Sequence, residues 1–375
     1  MCKPYLKLIA LLMLTCLYQA KAQIPVNDPA WQIQTGASEE FNAPLDFTTK
    51  WYNQYPWGPL NNGAEYNKPA NLDQSTGTTL KIVADTLVPG IHVAPSRYAD
   101  VWANGVTYVY QSGAIQTRQV SGSDVYKFGY LEVYAKYPTS YYPLWPASWV
   151  WGCDGGPYNE IDYAENGAAN SYDGHKMGTN KWINTSTCNN ASGSGQDITG
   201  LPLLSSAFHK YATEWAPDRV NYYFDDVLVR SVSDPSGATI PQNPMAAIIN
   251  FAIDPWYAYL PSDWNNDTIY HSATNPVHGN ASPTLWPQYL EIDYMRYYKL
   301  NTDCNTNLTI CTPSTDYSSR AVEKTIEAGG SCTPTFNTSD EYTLRATDNV
   351  TLDAGTTIAD NGSGYFAIII MPCPQ

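Results

Sequence analysis

Hydrophobic residues along this chain gather in short strand-like runs, some of them alternating with a period of two, and runs of helical period are nearly absent. Residues 79–84, 130–137, 145–151, 220–224, 227–232 and 246–253 are short runs rich in apolar, β-branched and aromatic side chains and read as strands. Gly, Pro, Asn and Asp punctuate the intervals between them. Period two belongs to a strand, whose side chains point to opposite faces in turn. Many short strands with such turns predict an all-β sandwich or barrel. Two long segments, 189–200 and 255–283, are polar and aromatic; they serve either as walls of a cleft or as exposed excursions. The texture changes near residue 302. Residues 302–319 are rich in Thr, Ser, Asn and Cys and read as a linker, and 320–375 return to strand-like alternation. The organisation expected is one large β domain over 23–301, a linker, and a small β-rich C-terminal module over 320–375.

Residues 1–22 read as an export signal. Lys3 and Lys7 precede the apolar run 8–18, and Ala20-Lys21-Ala22 offers a small-residue cleavage site before Gln23. The run is too short to span a bilayer as a helix, and Leu14-Thr15-Cys16-Leu17 matches a lipoprotein box poorly. Beyond it lie Cys153, Cys188, Cys304, Cys311, Cys332 and Cys373. An even set in an exported chain predicts disulfides, and no C-x-x-C pair suggests zinc. Six cysteines allow fifteen pairings. The pairing expected is Cys153–Cys188, Cys304–Cys311 and Cys332–Cys373.

The segment that carries chemistry is Asn159-Glu160-Ile161-Asp162-Tyr163-Ala164-Glu165, with three carboxylates in six residues of a chain only 15% charged. On a strand, Glu160 and Asp162 share a face and Glu165 points away. One extra residue at Tyr163-Ala164, a β-bulge, would return Glu165 to the others. Three carboxyls on one face repel one another and split their pKa values, as acid–base chemistry requires. Such clusters also occur on solvated strand faces and in calcium sites. The neighbouring run Leu144-Trp145-Pro146-Ala147-Ser148-Trp149-Val150-Trp151 favours chemistry, because it sets Trp145, Ala147, Trp149 and Trp151 on one face. Indole rings stack on the C–H faces of sugars, and paired carboxyls cleave glycosidic bonds.

At these residues the chain resembles glycoside hydrolase family 16, whose bulged signature reads E-[ILV]-D-x-x-E. The likeness extends to Gly129-Tyr130-Leu131-Glu132-Val133-Tyr134-Ala135-Lys136, to Phe208-His209-Lys210-Tyr211-Ala212-Thr213-Glu214-Trp215-Ala216-Pro217-Asp218, and to the closing strand Leu290-Glu291-Ile292-Asp293-Tyr294-Met295-Arg296-Tyr297-Tyr298. It covers about residues 30–300, and Tyr134 stands where the family usually has Arg. The resemblance implies an all-β jelly-roll sandwich of the concanavalin A-like kind. It also implies a retaining endo-glycosidase, with two carboxyls about 5–5.5 Å apart. By position Glu160 is the nucleophile, Glu165 the acid and base, and Asp162 the residue between that hydrogen-bonds Glu160. Trp145 and Trp149 are the expected stacking platforms. Asn62 resembles an asparagine of the family's N-N-E-x-x-Y stretch, disturbed here by Gly63-Ala64; His175 and Trp182 are within reach of the site or serve ordinary loop roles. The C-terminal module resembles short β-rich modules of secreted Bacteroidetes proteins, and it binds glycan, serves secretion or anchoring, or caps the chain.

The chain has 375 residues, 30 Tyr, 12 Trp and a formal net charge of −15. Loss of residues 1–22 removes three lysines and no acid, leaving about −18, from 17 basic and 35 acidic residues. That acidity excludes nucleic acid as a partner and disfavours a densely sulfated polysaccharide. His92, His175, His209, His271 and His278 show no HxH or HExxH spacing, so no catalytic metal and no cofactor are expected. A structural calcium ion is not legible in the sequence. The substrate expected is a β-1,3-glucan of the laminarin type. A marine galactan (agar, porphyran or carrageenan) is the alternative, and a catalytically silent, lectin-like glycan binder is the alternative of another class. The protein is expected to act as a secreted monomer that does not span the membrane.

Overall fold

The computed structural model describes residues 31–61, 65–86, 101–103, 106–108, 110–118, 126–138, 144–153, 156–167, 174–188, 191–253, 286–300, 304, 307–311, 323–337, 341–359, 365–370 and 373. The expected export signal, Asn62 and the segment 255–283 lie outside the described residues. The six segments read as strands form Leu80–Thr86, Gly129–Lys136, Leu144–Gly152, Arg219–Phe224, Val227–Ser233 and Ala246–Ile253. Among the described residues the sole helical element is the 3₁₀ turn Pro69–Asn71, and no helix is long and apolar enough to cross a membrane.

Residues Ile33–Lys299 form one compact unit and Leu300–Cys373 belong to a second. The first is a sandwich of two sheets. The ten-stranded sheet runs in the order Val227–Ser233, Arg219–Phe224, His209–Ala216, Gly129–Lys136, Gln288–Leu300, Leu80–Thr86, Tyr110–Ser112, Glu65–Asn67. The eight-stranded sheet runs Ser192–Gly193, Met177–Asn184, Tyr158–Glu165, Leu144–Gly152, Ala246–Ile253, Ala114–Thr117, Trp51–Tyr52. Pairing is antiparallel except between Glu65–Asn67 and Tyr110–Ser112. This is the jelly-roll sandwich expected. Its core joins Val150, Ile161, Tyr163 and Ile249 of one sheet to Leu131, Val133, Tyr211 and Ile292 of the other. Burial of such side chains, at about 1.5–3 kcal/mol each, is the main force holding the sheets together. Tyr134, in the place of the family's arginine, stacks on Tyr294 at 5.4 Å, with the Arg296 guanidinium on that ring at 3.8 Å.

Gly129 opens its strand at φ 125°, and a Cβ there would lie 2.5 Å from the Tyr298 carbonyl oxygen and 2.8 Å from the Tyr297 ring. Both the dihedral and the contact exclude a side chain. Gly129→Ala is expected to destabilise the fold by at least about 2 kcal/mol in urea unfolding; an unchanged midpoint would contradict this.

In the second unit Asn307–Ile310, Glu323–Ala328, Glu341–Leu352 and Tyr365–Ile370 pair in parallel throughout, and Thr335–Asn337 pairs in parallel with Thr357–Ala359. Ile310, Ile326, Ala328, Phe336, Leu344 and Ala346 form its core. Two expectations are corrected here. The segment read as a linker contains a strand, Asn307–Ile310. The disulfides are Cys153–Cys188, Cys304–Cys373 and Cys311–Cys332, so only the first matches the expected set. Parallel pairing is the reason: Ile310 lies opposite Ala328, which brings the ends of those two strands together and sets Cys311 beside Cys332. The expected pairing instead joined each cysteine to the next one along the chain.

Candidate active site

Three consecutive strands of the eight-stranded sheet build the site: Leu144–Gly152, Tyr158–Glu165 and Met177–Asn184. Their registers align side chains in rows across the sheet. Trp151, Glu160, Trp182 and Gly193 form one row; Trp149, Asp162 and Asn180 the next; Ala147, Glu165, Gly178 and Asp197 the third. Between the second and third rows the register shifts. Asp162 lies opposite Trp149 and Ala164 opposite Ser148, so Tyr163 has no partner across the ladder. Tyr163 and Ala164 both turn into the core, fully buried, and Glu165 returns to the face of Glu160 and Asp162. The bulge therefore sits where the sequence pattern required it. The Tyr137 hydroxyl anchors it by donating to the Ala164 carbonyl at 3.1 Å.

The three carboxyls line one cavity of about 710 Å³ together with Trp57, Trp145, Trp151 and Trp182. Glu165 accepts a hydrogen bond from the Trp145 indole N–H at 2.7 Å. Glu160 accepts a short one from the Tyr158 hydroxyl. Asp162 hydrogen-bonds Glu160 and is itself hydrogen-bonded by Trp182. Burial drives all three pKa values up, because the charged form loses its water. Glu160 is pushed up to about 7 by burial, opposed by the Tyr158 bond, raised again by the Glu165 charge, and eased by the Asp162 bond. Asp162 goes well above the usual carboxylate range, first through burial and then through the charges of Glu160 and Glu165. Glu165 is raised by burial, lowered by the Trp145 bond and raised further by Asp197. The trio thus favours one carboxylate beside two groups that hold protons. Among the described residues no three His, Cys, Asp or Glu side chains gather as a metal-binding group.

Of the expected sugar platforms, Trp145 is half-buried at the cavity wall with its N–H on Glu165. Trp149 is only 8% exposed, and its N–H donates to Asn250 at 2.8 Å. It supports the wall and offers little ring surface. The exposed ring is Trp57, 46% accessible, stacked on Tyr55 at 5.6 Å and set edge-on to Trp151 at 5.0 Å. Sequence reasoning passed over Trp57, Trp151 and Tyr158 as site residues. Trp151 and Tyr158 were legible from the period-two pattern that also set out Trp145 and Glu160. Trp57 sits between prolines in a loop, where no periodicity points to a face. Asn61, next to the expected Asn62, lines the cavity, and Trp182 reaches it from the neighbouring strand. His175 lies outside the cavity lining, with Nδ1 2.9 Å from the Leu201 carbonyl.

A family model for glycosyl hydrolases family 16 matches residues 65–270, more than half of the chain. The chain belongs to that family. A relative named endo-1,3-1,4-β-glycanase EglC, from Rhizobium meliloti (strain 1021), is 27% identical over 198 residues, which is 52% of this chain and 35% of the relative. A β-glucanase of Rhodothermus marinus is 27% identical over 209 residues, 51% of this chain and 63% of the relative. The chain therefore spans less than two thirds of the length of either relative. The κ-carrageenase zobellia_236 of Zobellia galactanivorans shares the fold with a TM-score of 0.54 at 18% identity, covering 76% of this chain and 100% of that structure. Within this family 16 chain, the match takes in the bulged strand, the tryptophan strand before it and the strand Met177–Asn184 beyond it.

Proposed function

We propose that the protein is a secreted, endo-acting, retaining glycoside hydrolase whose substrate is a β-1,3-glucan. The observation that carries this reading is the bulge: it puts Glu160 and Glu165 on one face of one strand, inside one indole-lined cavity. Glu160, eased towards ionisation by Tyr158 and Asp162, attacks the anomeric carbon and forms a glycosyl-enzyme. Glu165 protonates the departing oxygen, then takes a proton from the water that releases the sugar. Asp162 holds its own proton on Glu160, orienting it and keeping a second charge out of the trio. Trp57 and Trp145 supply ring surface to the sugars.

A neutral glucan is supported by the cavity lining, which contains no Lys, Arg or His among the described residues. The names of the two relatives, a glycanase and a glucanase, agree with that. Three disulfides fit an oxidising compartment outside the cytosol. The test is release of reducing ends from laminarin, mixed-linkage glucan, agarose, porphyran and carrageenan. Cleavage of laminarin is expected; cleavage of a galactan alone would move the substrate. Silence on all five, with retention on a glycan column, would replace hydrolysis by lectin-like binding.

Trp145→Phe provides a finer test of the acid. The indole N–H stabilises the Glu165 carboxylate and so lowers its pKa. Without it that pKa rises, and the alkaline limb of the kcat/KM profile is expected to move to higher pH as the rate falls about tenfold. A loss of rate with an unmoved limb would show that Trp145 acts only in packing.

A further inference from the structure

Beyond the acid, the face of the sheet loses its aromatic character. The row of Glu165 continues through Gly178 to Asp197 on the next strand. Side chains of one cross-strand row point to the same face, so Glu165 and Asp197 stand on either side of a gap that Gly178 leaves open. A Cβ at Gly178 would lie 3.3 Å from the Glu165 carbonyl oxygen and 3.4 Å from its Cβ. The gap forms a second cavity of about 360 Å³, floored by Gly178 and Gly195 and bordered by Gln196 and Asp197. It shares Glu165 and Asn180 with the main cavity, which puts the Glu165 carboxyl on the boundary between the two. No aromatic or cationic side chain is among its described lining residues. Lys176, outside that lining, holds Asp197 through Nζ–Oδ2 at 2.9 Å, and the Asp197 side chain stays 45% exposed.

A glycosidase acid protonates the oxygen between the sugar that stays and the sugar that leaves, so the leaving sugar is bound beside the acid. Glu160 belongs to the main cavity, two rows back, between Trp151 and Trp182. The second cavity adjoins Glu165 on the side of Met177–Asn184 and Gln196–Ile198. Resting on the assignment of Glu165 as the acid, we propose that the trough over Gly178 receives the leaving sugar, and that Asp197 restricts this position to an uncharged residue. A sulfate ester or uronic carboxylate there would meet a carboxylate fixed by Lys176, with no cation among the described lining residues to accept it. With no ring platform among the described lining residues, this is a weak position that lets its product go, while the indole side keeps its grip on the other product.

The experiment compares a β-1,3-gluco-oligosaccharide with the same oligosaccharide carrying a 6-O-sulfate on the residue that departs, in wild type and Asp197→Asn. The wild type is expected to favour the neutral compound at least tenfold in kcat/KM, and Asp197→Asn to reduce that preference below threefold. A ratio taken within one protein is insensitive to partial misfolding. Equal turnover of both compounds by the wild type, or an undiminished preference in Asp197→Asn, would overturn the proposal. A wild type silent on the gluco-oligosaccharide but active on carrageenan would overturn charge selection while leaving Glu160 and Glu165 in their roles. Silence on every glycan would remove the hydrolase reading itself, and this inference with it.

Discussion

Glu160→Gln and Glu165→Gln are each expected to lower kcat/KM on the polysaccharide at least about 10³-fold, with both variants folded. The amide preserves the shape of each side chain, so the Trp145 and Tyr158 contacts keep an acceptor. The two variants are expected to part on a 4-nitrophenyl glycoside, whose leaving group needs no proton. Glu165→Gln then forms the glycosyl-enzyme quickly and stalls at its hydrolysis, giving a burst followed by a slow phase that azide accelerates. Glu160→Gln has no nucleophile and stays silent with either substrate. Near wild-type turnover in either variant on the polysaccharide, or a burst from Glu160→Gln, would undo the division of roles.

Stability is expected to fall as the pH rises from about 4.5 to about 7, and Glu65 accounts for a large share. Its side chain is fully buried, and burial pushes its pKa up from 4.5 to about 7, against the lowering effect of the Ile253 N–H bonded to it at 2.7 Å. Between those values the folded chain holds a proton that the unfolded chain has released, so stability declines with rising pH. Below about pH 4.5 both states are protonated and the contribution is whole; above about pH 7 it is gone. A difference of this size corresponds to about 3 kcal/mol for one fully buried group. Glu160 acts in the same direction over the same window. Glu65→Gln keeps an acceptor for Ile253 and removes the titration, so its unfolding midpoint is expected to change less between pH 5 and pH 8 than that of the wild type. An equal pH dependence in both proteins would contradict the buried-acid account.

The parts of this molecule legible in its sequence are those where one physical rule acts locally. Period-two placement marked the cavity faces of the strands that carry Trp145 and Glu160, and a continuous apolar run bounded by turn residues marked Ala246–Ile253, which is buried throughout. The spacing of Glu160, Asp162 and Glu165 required an extra residue on the strand, and Tyr163 is that residue. Features set by distant parts of the chain were not legible. Trp57 reaches the cavity from a proline-flanked loop, with its ring placed by Tyr55 and Trp151. The burial of Trp149 depends on Asn250, 101 positions away. The pairing of Cys311 with Cys332 follows from parallel strand pairing, which alternation does not distinguish from antiparallel pairing. Asp197 gave no signal either, since it joins the row of Glu165 only through the pairing of a three-residue strand, Gln196–Ile198, with Met177–Asn184.

The most direct measurement is proton NMR of the first product formed from laminarin, or from whichever glycan of the panel is cleaved, recorded before the released anomers equilibrate. An initial β anomer is predicted, because displacement by Glu160 and then by water inverts the centre twice. An initial α anomer, or no cleavage of any glycan, would contradict the assignment of Glu160 as nucleophile in a retaining hydrolase.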